Sequence, residues 1–131
     1  MNTSRVPEGG EQPNAESLAA FGADPTRGPV VMLNLIKLRP DGGAERYAEY
    51  GAAVAPLLER VGGRVLHAGR SGAALIGGGN WDLVLLVEYP THGAFLEMIL
   101  SPEYGEIAHL RIESLVRSEL HPLYPEDDLP V

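Results

Sequence analysis

Five side chains on predicted strands are of the types that hold a carbonyl group or move a proton. Asn34 lies in the middle of the apolar stretch VVMLNLIKL, residues 30 to 38. A buried amide in mid-strand needs a hydrogen-bond partner, and it could orient the carbonyl or enolate of a ligand. Buried carboxylates and imidazoles can act as general acids or bases near neutral pH. The candidates for that second role are Glu88, Asp82, His67 and His121.

Each of these five residues also has an ordinary structural explanation. Asn34 could satisfy a neighbouring strand, a water molecule or a dimer contact. Asp82 and Glu88 could be solvated at strand ends. A single histidine on a strand, such as His67 or His121, is more often exposed or hydrogen-bonded structurally than catalytic.

Three further residues are candidates for lining a ligand site. Trp81 follows a glycine-rich turn and could line a pocket mouth, or it could simply pack beneath that turn. Tyr104 and Arg111 are seven residues apart, so they share one face of a predicted helix. They could frame a site, or they could pack and form a salt bridge.

The sequence predicts no metal and no cofactor. His109 and Glu113 have i,i+4 spacing on a helix, but no third ligand follows at a telling distance, which favours a solvated pair. The stretch IGGGNW joins two strands and opens no helix, so it is not a phosphate-binding loop. The stretch GRSGA is not the nucleophile elbow of a serine hydrolase, and no feature is specific for haem.

Composition limits the classes of partner. The chain has 131 residues, a formal net charge of −8 and no cysteine. This acidic balance, without a cluster of Lys and Arg, disfavours nucleic acid and anionic lipid. No apolar run approaches the roughly 20 residues of a membrane span, and the N-terminus lacks the apolar core of a signal peptide. We therefore expect a cytoplasmic protein that binds neither nucleic acid nor membrane.

Hydrophobic periodicity predicts one domain with the element order β-α-β-β-α-β. We expect a flexible tail over residues 1–13, a short helix and linker over 14–27, the domain over 28–124, and an acidic tail over 125–131. The first strand is expected at about 29–38, a helix at 44–61, a second strand from 64 that resumes in AALIG, and a third strand at 81–89. Thr91 and Ser101 are expected to cap two helical segments, and the last strand is expected at 117–124. This order is typical of a ferredoxin-like α+β fold, in which a four-stranded antiparallel sheet carries both helices on one face.

The predicted sheet is apolar on both faces. The first and third strands each have one purely aliphatic face, formed by Val31, Leu33, Leu35, Leu83, Leu85 and Val87. Their other faces are also apolar in mid-strand, yet two helices can cover only one side. The simplest cover for the second side is another copy of the chain, which predicts a homodimer. We assign the purely aliphatic faces to the helices, so that Asn34, Asp82 and Glu88 face the partner sheet.

Four stretches resemble a bacterial family known as domain of unknown function number thirteen-thirty. They are GPVVMLNLIKL, YAEYGAAVAPLLERVGGRVL, GNWDLVLLVEYP and SPEYGEIAHLRIESLVRSEL, which together span about residues 28 to 122. The resemblance implies a dimeric α+β barrel. That superfamily includes cofactor-free monooxygenases, muconolactone isomerases, polyketide cyclases and haem enzymes, while this family has no established general activity.

Two hypotheses about function follow. In the first, the protein is an enzyme that binds a small, largely apolar, carbonyl-bearing molecule between helices and sheet or inside the barrel. Asn34 would orient the carbonyl, one of Glu88, Asp82, His67 or His121 would move a proton, and the reaction would be isomerisation, cyclisation or cofactor-free oxygenation. In the second, the protein is a non-catalytic homodimer that binds a metabolite or another protein.

Overall fold

The computed structural model describes residues 13–126 and contains four helices and four strands in that range. The predicted tails lie outside these residues, except for residue 13 and residues 125–126. The helices are α1 (Ala15–Gly22), α2 (Gly43–Arg60), α3 (His92–Ile99) and α4 (Pro102–Ser114). The strands are β1 (Val30–Leu38), β2 (Arg64–Arg70), β3 (Leu83–Tyr89) and β4 (Leu115–Leu123).

The four strands form one antiparallel sheet in the order β2-β3-β1-β4. This is the ferredoxin-like arrangement that the element order predicts, with the two halves of the chain interleaved in the sheet. The central strands β1 and β3 are each followed by a helix. All helices pack on the same side of the sheet. Residues from α1, α2 and α3 share one core cluster with β1 and β3: Phe21, Val30, Met32, Leu57, Val87, Tyr89, Phe95 and Met98.

Local signals in the sequence position most of the helix ends. The side chains of Thr91 and Ser101 accept hydrogen bonds from the backbone N–H groups of Ala94 (3.0 Å) and Tyr104 (3.1 Å), as predicted for N-caps. Gly62 follows α2 with a φ of 82°, a left-handed conformation that glycine adopts without strain. Asn14 holds the N-cap position of α1, although its side chain makes no capping hydrogen bond.

One predicted strand segment is wrong. The second strand ends at Arg70, and the stretch AALIG belongs to an irregular loop between β2 and β3. This loop has four glycines among residues 71 to 80. Glycine weakens a strand, so the β-propensity of the apolar residues is not enough to pair the segment with a neighbouring strand. Its apolar residues are therefore not part of the sheet.

The assignment of Asn34 to the partner-facing side is also wrong. Directly opposite residues of an antiparallel pair share a face, and Asn34 lies opposite Leu85. Leu85 packs against the helix-facing core, together with Met32 from the same side of β1. The predicted alternation within β1 is confirmed, but the two faces are exchanged. On β3 the assignment is right, because Leu83, Leu85 and Val87 do face the helices.

The face of the sheet that points away from the helices, here called the open face, has an aliphatic centre and a polar border. Its centre consists of Val31, Leu33 and Leu35 on β1 with Val84 and Leu86 on β3. The registers place polar residues around this centre: Arg64 and His67 on β2, Glu88 on β3, Lys37 on β1, and Arg117, Glu119 and His121 on β4. Asp82, directly before β3, borders the same face through its contacts with Lys37 and Leu38.

We expect Leu115→Ala to lower the free energy of unfolding by about 2–5 kcal/mol, because it leaves a cavity at a packed position. Leu115 is 0% exposed. Leu100, which is 76% exposed, provides the matched control, and Leu100→Ala should change stability by less than about 0.5 kcal/mol. Urea unfolding followed by circular dichroism measures both. Equal losses in the two variants would contradict the described core.

Candidate functional site

Two proton-transfer candidates on the open face are held by charged neighbours. Glu88 accepts a hydrogen bond from Nε of Arg64 at 2.7 Å, and these residues lie opposite each other on β3 and β2. His121 donates from Nε2 to Oε1 of Glu119 at 2.8 Å, two residues away on the same strand. Both contacts are exposed, so each contributes little to stability. Their effect is to fix the direction of the two side chains on the face.

Asp82 joins the ends of β1 and β3. Its Oδ2 accepts the backbone N–H of Leu38 at 2.8 Å, and its Oδ1 lies 3.4 Å from Nζ of Lys37. Its own N–H donates to the carbonyl of Ile36 at 2.8 Å. The carboxylate therefore satisfies a backbone donor where the ladder between the two strands ends.

The predicted catalytic residues do not converge within one subunit. His67, Leu86, Leu33 and His121 form one cross-strand row, with the two imidazoles at opposite edges. Three strand spacings separate the backbones of the two histidines by about 14 Å. Asn34 lies on the other side of the sheet. No pair of these candidates shares a hydrogen bond.

Trp81 stacks on an arginine of the open face. The guanidinium carbon of Arg117 lies 4.0 Å from the centre of the indole ring, which is a cation–π geometry. Trp81 and Asp82 also line a surface hollow of about 470 Å³ formed by the β2–β3 loop. A second hollow of about 510 Å³, at the ends of the strands, is lined by charged side chains from Lys37, Arg39, Glu45, Arg70 and Asp82.

A group of buried phenols occupies the layer between helices and sheet. The four residues are Tyr47 and Tyr50 on α2, Tyr89 on β3 and Tyr104 on α4, here called the tyrosine cluster. The hydroxyl oxygens of Tyr50 and Tyr104 lie 2.9 Å apart in a hydrogen bond that links the two helices. The ring of Tyr50 is tilted against Tyr47 at 5.6 Å and meets Tyr104 edge-on at 6.2 Å. Of these four, only Tyr104 is among the predicted site residues.

Burial raises the pKa of every phenol in the tyrosine cluster. Desolvation is the largest cause in each case, because the charged phenolate is disfavoured away from water. The pKa of Tyr47 rises to about 12, with a further contribution from Tyr104. All four phenols are uncharged at neutral pH, as ordinary tyrosines are, and burial extends that state to higher pH, so they act as hydrogen-bond donors and acceptors.

Other polar groups face the same layer. Arg111 lies two helical turns beyond Tyr104 on the same face of α4, and burial lowers its pKa to about 10, so it remains a cation at neutral pH. Asn34 donates from Nδ2 to the carbonyl of Met32 at 3.3 Å. The hydroxyl of Ser118, opposite Ile36 on the helix side, is buried without a hydrogen-bond partner among residues 13–126. Such a group is uncommon in a folded protein and needs a ligand, a water molecule or a rearrangement to satisfy it.

His92 is a buried histidine that the sequence patterns did not single out. It is 2% exposed and stacks on Phe21 with ring centres 3.7 Å apart. The carbonyl of Phe21 lies 2.9 Å from Nδ1, and a carbonyl only accepts, so Nδ1 carries the proton. Nε2 lies 2.8 Å from the hydroxyl of Tyr124, whose ring in turn lies beneath the guanidinium of Arg27. His92 thus connects α1, α3 and the segment after β4.

A signal for the tyrosine cluster was present in the sequence, whereas none was present for His92. Tyr47 and Tyr50 lie on the apolar face of the predicted helix, and a buried tyrosine hydroxyl normally requires a partner. The environment of His92 depends on Phe21 and Tyr124, which are distant in sequence and meet it only after folding. A single sequence carries no pattern for that contact.

The described residues offer no metal site. His109 and Glu113 form an exposed pair at 3.1 Å, as the solvated interpretation predicts. No group of three or more His, Cys, Asp or Glu residues could hold a metal ion between residues 13 and 126. Within the same range, no helix is long and apolar enough to cross a membrane.

The fold and the buried phenols define a ferredoxin-like α+β protein with polar groups between its helices and its sheet. The sequence profile of the family described as "Domain of unknown function (DUF1330)" matches residues 42–119. The chain belongs to this family, as its sequence motifs predict. No curated protein matches the chain.

Solved structures agree with this fold. RPA0582, a protein of unknown function from Rhodopseudomonas palustris, is 40% identical with a TM-score of 0.81, and the match covers 88% of this chain and 96% of that one. A dimeric ferredoxin-like protein of unknown function from Jannaschia sp. CCS1 is 13% identical with a TM-score of 0.62, covering 75% and 100%. A NIPSNAP domain protein from Burkholderia xenovorans is 12% identical with a TM-score of 0.59, covering 78% and 99%. The last two likenesses establish the fold alone.

We expect the protein to lose stability as the pH rises from about 10 to about 12. A tyrosine whose folded pKa lies above its unfolded value of 10.0 stabilises the native state fully below pH 10, and this contribution disappears as the pH passes the folded pKa. The lowered pKa of Arg111 has the opposite sign, but it is one group against four phenols. Tyrosinate absorbance at 295 nm and far-UV circular dichroism should therefore change together. Ionisation of all the tyrosines near pH 10 in a fully folded protein would contradict the burial.

Proposed function

We propose that the protein is a homodimer whose two sheets pack through their open faces. We further propose that each subunit binds a small, largely apolar, carbonyl-bearing molecule in the layer between helices and sheet. The hydrogen-bonded hydroxyls of Tyr50 and Tyr104 are the observation that carries the ligand part of this proposal. Aliphatic side chains would stabilise a core with no binding role more effectively. A buried hydrogen bond adds little net free energy, because it replaces hydrogen bonds to water.

The open face supports the homodimer. Its five central side chains are aliphatic, and an apolar centre with a charged border is the usual anatomy of a protein–protein interface. A two-fold axis would place the aliphatic centre of one sheet against that of the other. Ferredoxin-like proteins of similar fold from Jannaschia sp. CCS1 and Bacteroides fragilis are described as dimeric.

Donor counting in the tyrosine cluster supports a carbonyl ligand. When two hydroxyls share one hydrogen bond, one of them donates and the other accepts. The accepting hydroxyl of the Tyr50–Tyr104 pair keeps its own hydrogen, which can be donated to a carbonyl oxygen. A phenol is protonated at neutral pH, and burial raises the pKa of both hydroxyls further, so the donor is present. A carbonyl oxygen accepts hydrogen bonds and has no hydrogen of its own, so it is a suitable partner for this remaining O–H group.

The corrected position of Asn34 strengthens its role in binding. It faces the helices and therefore lies on the same side of the sheet as the tyrosine cluster. Its Nδ2 already donates to its own strand, which leaves the side-chain oxygen as an acceptor. In this proposal Asn34 orients a ligand hydroxyl or enol next to the carbonyl, while the phenol pair polarises the carbonyl.

A specific observation favours non-catalytic binding over catalysis. A proton-moving residue is needed for isomerisation, cyclisation or cofactor-free oxygenation. The candidates Glu88, Asp82, His67 and His121 lie on or border the open face, and the sheet separates them from the tyrosine cluster. Three of the four are also bonded to neighbours. We therefore favour a non-catalytic ligand-binding or protein-interaction module and keep an enzyme as the second candidate.

The homodimer can be tested at the centre of the open face. We expect Leu33→Arg to yield folded monomers, because association would bury one added guanidinium from each subunit in the aliphatic centre of the open face. Sedimentation velocity should give the mass of one chain for this variant and of two chains for the unchanged protein. Far-UV circular dichroism checks that the variant is folded.

Ile112 on α4 is 45% exposed and provides the control at a position remote from the open face. Ile112→Arg should leave the dimer intact. A dimer that persists in Leu33→Arg, or a monomeric unchanged protein, would refute association through this face.

The ligand site can be tested with two probes that differ in one group. We expect acetophenone to raise the melting temperature of the protein more than ethylbenzene does, because only the ketone can accept the phenol's hydrogen bond. The double variant Tyr50→Phe/Tyr104→Phe should lose that difference. Mass spectrometry of small molecules that remain bound through purification should show loss of any natural ligand in the same variant.

Tyr124→Phe is the matched control, because it also removes a phenol hydroxyl, but one that bonds to His92 outside the tyrosine cluster. It should bind both probes as the unchanged protein does. If neither probe binds and no small molecule is retained, the ligand part of the proposal is wrong. Turnover assays of Glu88→Gln and Asn34→Ala, once a ligand is known, then separate the enzyme from the binding module.

A further inference from the structure

The loop between β2 and β3 carries the two most exposed large apolar side chains among residues 13–126. Leu75 is 98% exposed and Ile76 is 96% exposed. Two adjacent aliphatic side chains held fully in water gain nothing from folding of their own subunit. Residues 71 to 80 are here called the apolar arm.

The base of the apolar arm is fixed on the open face of the sheet. Arg117 lies opposite Lys37 on that face. Its Nη2 donates to the carbonyl of Gly79 at 2.7 Å and to that of Asn80 at 3.2 Å. The same guanidinium stacks on Trp81. The end of the arm is therefore held on the side of the sheet that points away from the helices.

The tip of the apolar arm stands clear of its own subunit. A Cβ atom built on Gly72, Gly77 or Gly78 would meet no atom within 4 Å. At the other end of the arm, the N–H of Ser71 donates to the carbonyl of Asp82 at 3.0 Å and closes the loop at its base. Gly77 has a φ of 100°, which turns the chain directly after Ile76. The geometry is that of a closed base with a projecting apolar tip.

We propose that the apolar arm reaches across the interface of the homodimer and packs Leu75 and Ile76 on the second copy of the chain. The inference rests on the proposed homodimer and adds a contact outside the two sheets. Because Arg117 holds the end of the arm on the open-face side, a second copy docked on that face would lie next to the arm. By two-fold symmetry each subunit gives one arm and receives one.

The size of the sheet supports a second copy of the chain as the partner of the apolar arm. Four strands of about eight residues have a flat outline of roughly 500 Å², whereas a standard stable interface buries about 800 Å² on each partner. Contacts outside the flat face are expected to supply part of the difference. The formal net charge of −8 disfavours an anionic lipid surface as the alternative occupant.

The first test measures association of the full chain. In Leu75→Ser/Ile76→Ser, the Kd of the dimer should rise at least tenfold, because each subunit loses two buried aliphatic side chains. Sedimentation equilibrium over a dilution series measures this Kd. Leu100→Ser, which alters an exposed leucine on the helix side, should leave the Kd unchanged and serves as the control.

The second test identifies what the arm touches. Position 75 is replaced by p-benzoyl-phenylalanine in an affinity-tagged copy, which is mixed with an untagged copy, irradiated and analysed by mass spectrometry. A cross-link between tagged and untagged chains supports the proposal. Cross-links confined to one chain, together with an unchanged Kd in the double variant, overturn the arm but leave the homodimer standing.

Two further outcomes are distinguishable. If the unchanged protein is monomeric at every concentration, the homodimer and the arm both fail. If the double variant keeps its Kd but loses co-sedimentation with phosphatidylcholine vesicles, the arm belongs to a lipid surface and the proposal is overturned.

Discussion

The rest of the structure depends on one constraint, which is that the sheet is apolar on both faces while all four helices pack on one. The helix side is closed by a core that includes Met32, Val87 and Phe95. The open side keeps an aliphatic centre with Leu33 and Leu86. Leaving such a centre in water forfeits part of the main favourable term of folding, and this cost is the physical reason for the proposed homodimer. In that proposal the polar border orients the two sheets more than it adds affinity.

The same constraint separates two chemical environments. Charged groups on or beside the open face are bonded to one another, as in Glu88 with Arg64, and they remain near solvent. Neutral phenols lie on the other side and are desolvated. The predicted proton-transfer residues and the buried phenols are thus divided between the two faces of the sheet in one subunit.

The sequence was sufficient for the order of the elements and insufficient for the orientation of the first strand. Alternation in β1 was clear, but both of its faces are apolar, so alternation could not say which one meets the helices. The register with β3, which pairs Asn34 with Leu85, decides that question and is a tertiary property. Capping residues such as Ser101 were predictable because their effect is local. The tyrosine cluster was only partly predictable, since Tyr89 and Tyr104 meet through the packing of a strand and a helix.

His92 lies at one end of the domain, where parts of the chain that are distant in sequence meet. The imidazole bonds to Phe21 of α1 and to Tyr124 directly after β4, so these two parts of the described chain meet at one pole of the domain. β3 runs between that pole and the loop that carries Leu75, a separation of seven residues or roughly 23 Å. A bulky label attached to the exposed part of α1 next to Phe21 would therefore sit far from that loop and would leave the opposite pole of the protein accessible.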